Sequence, residues 1–222
     1  MTWYISDDFS ADRRANPRSR WCDAERVEPI ARGDASRCPQ CGRYITLLKW
    51  LEPRRIRLTN SRYPDRLHYY LHVDQEIIVS ERFMNAYKSS GLQGITAFRP
   101  IETVKVARNH DPSTFPKYYS AEVEVTTDIK LDPDQTIIHG SPRDWKCSLC
   151  NPFGSSKSCV EKYVLDVKST DLDIAWVYAL GIVMSQRFYD FVQEHNFTNF
   201  NLVDISEYQY GMDKGPGPNK KL

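Results

Sequence analysis

Four of the six cysteines in this 222-residue chain form two Cys-x-x-Cys pairs: Cys38-Pro39-Gln40-Cys41, followed by Gly42, and Cys147-Ser148-Leu149-Cys150. Two such pairs supply four thiolates, the number that a tetrahedral structural Zn²⁺ takes. Pro39 and Gly42 suit a tight knuckle in which backbone N–H groups turn toward the sulfurs. A site closed by four thiolates leaves no position for water or substrate, so the expected role is architectural. The metal would join residue 38 to residue 150, with the intervening chain inserted into a split zinc ribbon. The separation from Cys41 to Cys147, 106 positions, is far outside the spacing of a compact ribbon. Unrelated buried cysteines, or a redox dithiol, are the competing readings. Cys22 and Cys159 read as small buried hydrophobes.

Other reactive constellations are missing from the sequence. It has no GxxxxGK[ST], no GxGxxG after a strand, no HExxH and no GxSxG. His68 and His72 are four apart in a segment that reads as a strand, where their side chains do not converge on a metal. Asp171 and Asp173 read as a solvated loop, and His110 and His139 as loop residues without a visible partner. A zinc deaminase would need a His or Cys followed closely by Glu ahead of its Pro-Cys-x-x-Cys, and no such motif is present. The expectation is that the chain is not an enzyme. A metal-dependent or redox enzyme would require an open metal site or a low-pKa thiol.

The elements that must position the cysteines contain an internal similarity. Ile77-Ile78-Val79-Ser80-Glu81-Arg82-Phe83 matches Ile182-Val183-Met184-Ser185-Gln186-Arg187-Phe188 at an offset of 105. In each copy an apolar run ends at a Ser placed to cap a helix. Phe83, Ala86, Tyr87 and Ser90 in the first, and Phe188, Phe191, Val192 and His195 in the second, form a stripe at helical spacing. Gly91 and Asn196 tolerate positive φ and suit the helix ends. Strands follow at 95–98 and 200–203. His195 reads as a helix-end packing or capping residue. Arg82 and Arg187 stand in the first helical turn, where a cation is disfavoured by the helix dipole, which implies a specific partner such as a carboxylate.

The expected fold is α+β: mixed, strand-rich, with a split four-cysteine zinc ribbon and a duplicated strand-helix-strand module. Further strands are expected at 2–5, 44–51, 54–59, 67–73, 103–107, 118–126 and 163–167. Residues 1–75 would carry the first knuckle, 76–127 the first module and the strands after it, 128–170 the second knuckle, and 171–210 the second module. All would form one compact domain. The tail, 211–222, has too little apolar surface to order itself.

Bulk properties narrow the function. With 30 basic and 29 acidic side chains, net charge +1, the chain lacks the basic surplus of a broad nucleic-acid binder. Arginine clusters at 13–20 and 54–57 read as solvated faces. Charged residues interrupt any apolar stretch in residues 1–20, and no run of 18 apolar residues spans a membrane. Paired cysteines of this kind suit a reducing compartment, so a soluble, cytoplasmic protein is expected. Thirteen Tyr and five Trp suit a protein interface.

Taken together, Cys-Pro-x-Cys-Gly near residue 40, a second CxxC about two thirds along, and the C-terminal Ser-x-Arg-Phe unit at 171–208 resemble the double-CxxCG motif family. Its members are bacterial, myxobacterial-type immunity proteins of polymorphic toxin systems. The Ser-x-Arg-Phe block of the first module also looks like a related immunity domain without cysteines. The resemblance implies Cys38, Cys41, Cys147 and Cys150 as metal ligands and a cognate toxin, encoded next door, as partner. The chain departs from the pattern at Asn151, where the family motif has Gly, and 43–73 carries no family signature. The alternative is a zinc-ribbon nucleic-acid-binding or regulatory protein.

Overall fold

The computed structural model describes residues 2–6, 23–46, 48–59, 62–67, 76–107, 111–138, 146–150, 160–177 and 180–208. Strands β1 (Trp3–Ser6), β2 (Ala24–Arg26), β3 (Arg55–Leu58), β4 (Arg66–Leu67) and β5 (Glu76–Ser80) lead into helix α1 (Glu81–Ser90). Next come β6 (Ile95–Val106), β7 (Tyr118–Val123), β8 (Ile129–Leu131), β9 (Ile137–Ile138), β10 (Val160–Lys162) and β11 (Leu165–Val167). The chain then forms β12 (Ile174–Val177), β13 (Gly181–Ser185), helix α2 (Gln186–Glu194) and β14 (Leu202–Asp204). The fold is α+β and strand-rich.

Two sheets dominate. One has the order β12-β13-β1-β14, the other β2-β3-β6-β7-β5-β4. The first matches the β4-β5-β7-β6 part of the second strand for strand, and every pairing within these two four-strand sets is antiparallel, whereas β3 joins β6 in parallel. In each unit a strand enters a helix, and the strand that follows lies parallel to it but one place removed. The intervening strand is β7 in the first unit. In the second it is β1, supplied from the far end of the chain. The strand-helix-strand pattern expected from sequence is thus split in both places.

The helix starts are built alike. Ser80 Oγ accepts from Phe83 N–H, and Ser185 Oγ from Phe188 N–H, each satisfying a donor that the helix leaves unpaired. Each serine donates in turn to a buried aspartate at 2.8 Å: Ser80 to Asp65 and Ser185 to Asp173. The arginine two positions on joins the same aspartate, Arg82 to Asp65 at 2.6 Å and Arg187 to Asp173 at 3.3 Å. The carboxylate is the partner that offsets a cation at a helix N-terminus. Asp171 and Asp173 were expected in a solvated loop. Asp171 is exposed, but Asp173 is 2% exposed.

Each aspartate also reaches the other unit. Asp65 accepts from Thr198 N–H, at 3.0 Å, in the loop after α2. Asp173 accepts from Gln93 N–H, also at 3.0 Å, in the loop after α1. Gly94 makes the second approach possible: a Cβ there would lie 1.8 Å from the Ile174 carbonyl oxygen, and its φ is +115°. Between the units, Phe83 sits among Tyr87, Phe188, Phe191, Phe197 and Phe200, with ring centroids 5.1–6.2 Å away. These rings belong to one buried cluster with Ile77, Val79, Ile174 and Met184. At the end of α2, the His195 ring stacks on Phe197 and its Nδ1 lies 3.1 Å from the Phe191 carbonyl, a packing and capping role.

Some elements differ from expectation. The strands expected at 95–98 and 103–107 are one strand of 12 residues, β6, which runs through Pro100. Among the described residues, its first half pairs with β7 alone, and proline is tolerated at such an edge. The segment 44–51 is the arm of an irregular hairpin, bridged Arg37 to Tyr44 and Arg32 to Trp50, rather than a continuous strand. Of the strand expected at 67–73, the start falls in β4, and residues 68–73 lie outside the described residues, as does the tail, 211–222.

Burial opposes the Asp65 carboxylate, but the Arg82 hydrogen bonds, the Thr198 N–H and the Ser80 hydroxyl outweigh it and hold its pKa below the ordinary range. A depressed native pKa contributes stability above the unfolded value that is lost as pH falls through the native one. Arg82 is 55% exposed, so solvent screens the ion pair and the buried hydrogen bonds carry most of the effect. Asp65→Ala is expected to cost about 2–3 kcal/mol near neutral pH. The deficit should narrow below about pH 4, where protonation removes the same contacts from the wild type. Urea denaturation across that range checks both statements.

Candidate metal centre

The first knuckle sits at the tip of the hairpin formed by residues 31–37 and 44–51. Gly33 N–H donates to the Lys49 carbonyl, Leu51 N–H to Ala31 and Ile45 N–H to Ser36. At the tip, Cys38 N–H donates to Arg43 at 2.8 Å and Gly42 N–H returns to the Cys38 carbonyl at 2.9 Å. Gly42 closes this turn with φ +70°, a conformation that glycine adopts without a steric cost. The second knuckle is a turn over Ser148–Cys150 that manages without a glycine in the described part. The knuckles are tied to each other outside the sulfurs: Gln40 Nε2 donates to Ser148 Oγ at 2.9 Å.

All four Sγ atoms lie within 4.8 Å of one another. The pairs Cys38–Cys147 and Cys41–Cys150 are 3.8 and 3.7 Å apart, each joining residues separated by 109 positions. A tetrahedron with metal–sulfur bonds of about 2.3 Å has sulfur–sulfur edges of about 3.8 Å. The donor set therefore fits a four-coordinate metal ion. Cys38, Cys147 and Cys150 are buried and Cys41 is exposed. Ile45 is buried beside the sulfurs, with Val125 and Leu149 packed against them.

Electrostatics favour the same use. Burial works against a thiolate at Cys147, yet backbone N–H groups of Cys150 and Leu149 and the thiols of Cys150 and Cys41 bring its pKa down to about 7. Burial and the three neighbouring sulfurs push Cys150 up, and burial pushes Cys41 up despite an Arg43 N–H aimed at it. Sulfurs this close cannot all ionise by themselves. A cation among them lets them do so, and coordination then releases protons.

The centre is anchored to the rest of the protein through Ile45. Its carbonyl accepts from Trp176 Nε1 at 3.0 Å, and Trp176 lies on β12 of the four-stranded sheet. Val125, beyond the end of β7, bridges in parallel to the same tryptophan. One residue thus links the knuckles, β12 and the continuation of β7. No local sequence signal marks this role of Trp176, since a tryptophan in an apolar run reads as core.

The remaining candidates divide cleanly. Cys22, Cys159, His68, His72, His110 and His139 lie outside the described residues, as do the arginines at 13–20. Arginines 54–57 are not one solvated basic face. Arg54 is 7% exposed and sits 3.2 Å from Glu52, Arg55 pairs with Glu102 at 2.8 Å, and Arg57 pairs with Glu25. No helix among the described residues is long and apolar enough to cross a membrane. Compared with models of known protein families, the chain matches none, and it matches no curated protein.

One metal ion per chain is expected by elemental analysis of the purified protein. Cys147→Ala should abolish that stoichiometry and lower stability by more than about 4 kcal/mol, the range associated with loss of a metal or cross-link. A metal-free wild type with an unchanged denaturation midpoint would contradict the site.

Proposed function

We propose that this chain is an immunity protein that binds and neutralises a cognate toxin, on a scaffold held by structural Zn²⁺. The observation that carries the reading is the meeting of Cys38, Cys41, Cys147 and Cys150 at tetrahedral spacing. These are the positions matching the cysteine signature of the double-CxxCG family. The two Ser-x-Arg-Phe units that complete the resemblance pack against each other in one core.

An all-sulfur tetrahedron selects Zn²⁺ or iron, and Zn²⁺ brings no redox chemistry to a structural site. With four protein ligands there is no coordination position for a substrate, so the metal serves shape and the chain acts by binding. Neutralisation is then occlusion of the toxin through a complementary interface, with aromatic and apolar anchors supplying most of the affinity. The net charge of +1 and the pairing of Arg54, Arg55 and Arg57 with carboxylates weigh against the nucleic-acid-binding alternative. The protein works inside the cell that makes it, where thiols stay reduced.

Co-expression with the product of the adjacent upstream gene tests this. Restored growth and a complex on a sizing column are expected. Absence of both would contradict the reading, and visible absorption from bound iron would contradict the zinc assignment.

A further inference from the structure

Six large hydrophobic residues are exposed among the described residues, and three of them, Tyr44, Leu48 and Leu51, lie on one arm of the metal-tipped hairpin. Beneath them the arm is fixed: Ile45 and Trp50, from the same stretch, are 7% and 1% exposed. Leu51 lies across Gly33 of the facing arm, where a Cβ would come within 3.2 Å of its Cδ2. Nothing on Gly33 covers the leucine. The Arg37 guanidinium carbon sits 3.9 Å above the Tyr44 ring, and its Nη2 donates to the Tyr44 hydroxyl. The exposed side chains of this arm thus stand beside buried Ile45 and Trp50.

The hairpin has a definite charge. Residues 31–51 carry Arg32, Arg37, Arg43 and Lys49 against Asp34 alone, a net of +3 in a chain whose total is +1. It stays positive against the two net negative charges of four thiolates around a dication. Aliphatic side chains at positions 48 and 51 gain nothing from stacking on bases, whereas a protein hollow can bury them. From this we infer that the exposed side chains Tyr44, Leu48, Lys49 and Leu51 of this arm form the surface that docks the partner. The partner is a protein domain presenting an apolar hollow edged by carboxylates. The inference rests on the immunity reading and identifies the kind of toxin surface it would cover. The metal then fixes this surface as well as closing the fold.

Leu48→Glu combined with Leu51→Glu, and separately Lys49→Glu, place negative charge against the acidic edge. Both changes are at exposed positions, so metal content and denaturation midpoint should match the wild type. Binding to the purified product of the adjacent upstream gene is expected to weaken about 100-fold for the double variant. For Lys49→Glu, the association rate should fall, and with it the salt dependence. No complex with the wild-type chain overturns the immunity reading and this surface with it. A complex that both variants leave intact overturns the surface alone. Salt-sensitive binding of a single-stranded DNA or RNA oligomer, lost in the same variants, overturns the assignment to a protein partner.

Discussion

Four sulfurs held within 4.8 Å of one another cannot all carry charge without a cation between them, and much of the architecture follows from bringing them together. They come from two turns 109 positions apart, so their meeting closes most of the central chain into one loop. A covalent cross-link over a loop of about 100 residues is worth about 4.7 kcal/mol by chain entropy alone. A metal link of the same span would act through the folded state instead: the site does not persist in the unfolded chain, so the free energy of metal binding adds to that of folding. A bound metal would also orient the hairpin that carries the first knuckle, which has few regular strand pairs among the described residues. Through the Ile45 carbonyl and Trp176, that orientation is passed to the edge of the four-stranded sheet.

Elsewhere in the molecule the two helix-bearing units are locked to each other by a pair of buried carboxylates. Asp65 organises the start of α1 and grips the loop after α2, while Asp173 organises the start of α2 and grips the loop after α1. Neither unit can satisfy its buried carboxylate fully without the other. The aromatic cluster around Phe83 fills the space between them, so polar and apolar contacts demand the same arrangement. Because β1 completes the second unit, the N-terminal strand is also part of this unit's sheet. A protein fixed at two places in this way presents its surface already ordered, which reduces the entropy lost when a partner binds.

The legible parts of the sequence were those with a local physical signature. The Cys-x-x-Cys pairs announced themselves by spacing, and the Ser80 and Ser185 caps by the stripe of Phe83 and Phe188 that follows each. Arg82 and Arg187 revealed that they needed partners because a cation is misplaced at a helix start. Their partners stayed hidden: Asp65 follows Pro64 in a combination typical of turns, and Asp173 sits beside Asp171 in what reads as a loop. The two aspartates are 108 positions apart, not 105, so the repeat does not align them. Residues joined only by the tertiary fold, such as Ile45 with Trp176 or Gln40 with Ser148, leave no periodic trace. The merging of 95–98 with 103–107 across Pro100 was also out of reach, since it depends on which side of β6 has a neighbour.

X-ray absorption at the zinc edge reads the central claim directly. Four sulfur ligands at about 2.3 Å, and no nitrogen or oxygen in the first coordination sphere, are the predicted result. A sphere containing water or histidine nitrogen, or sulfurs joined to one another in disulfides with no metal bound, would contradict it.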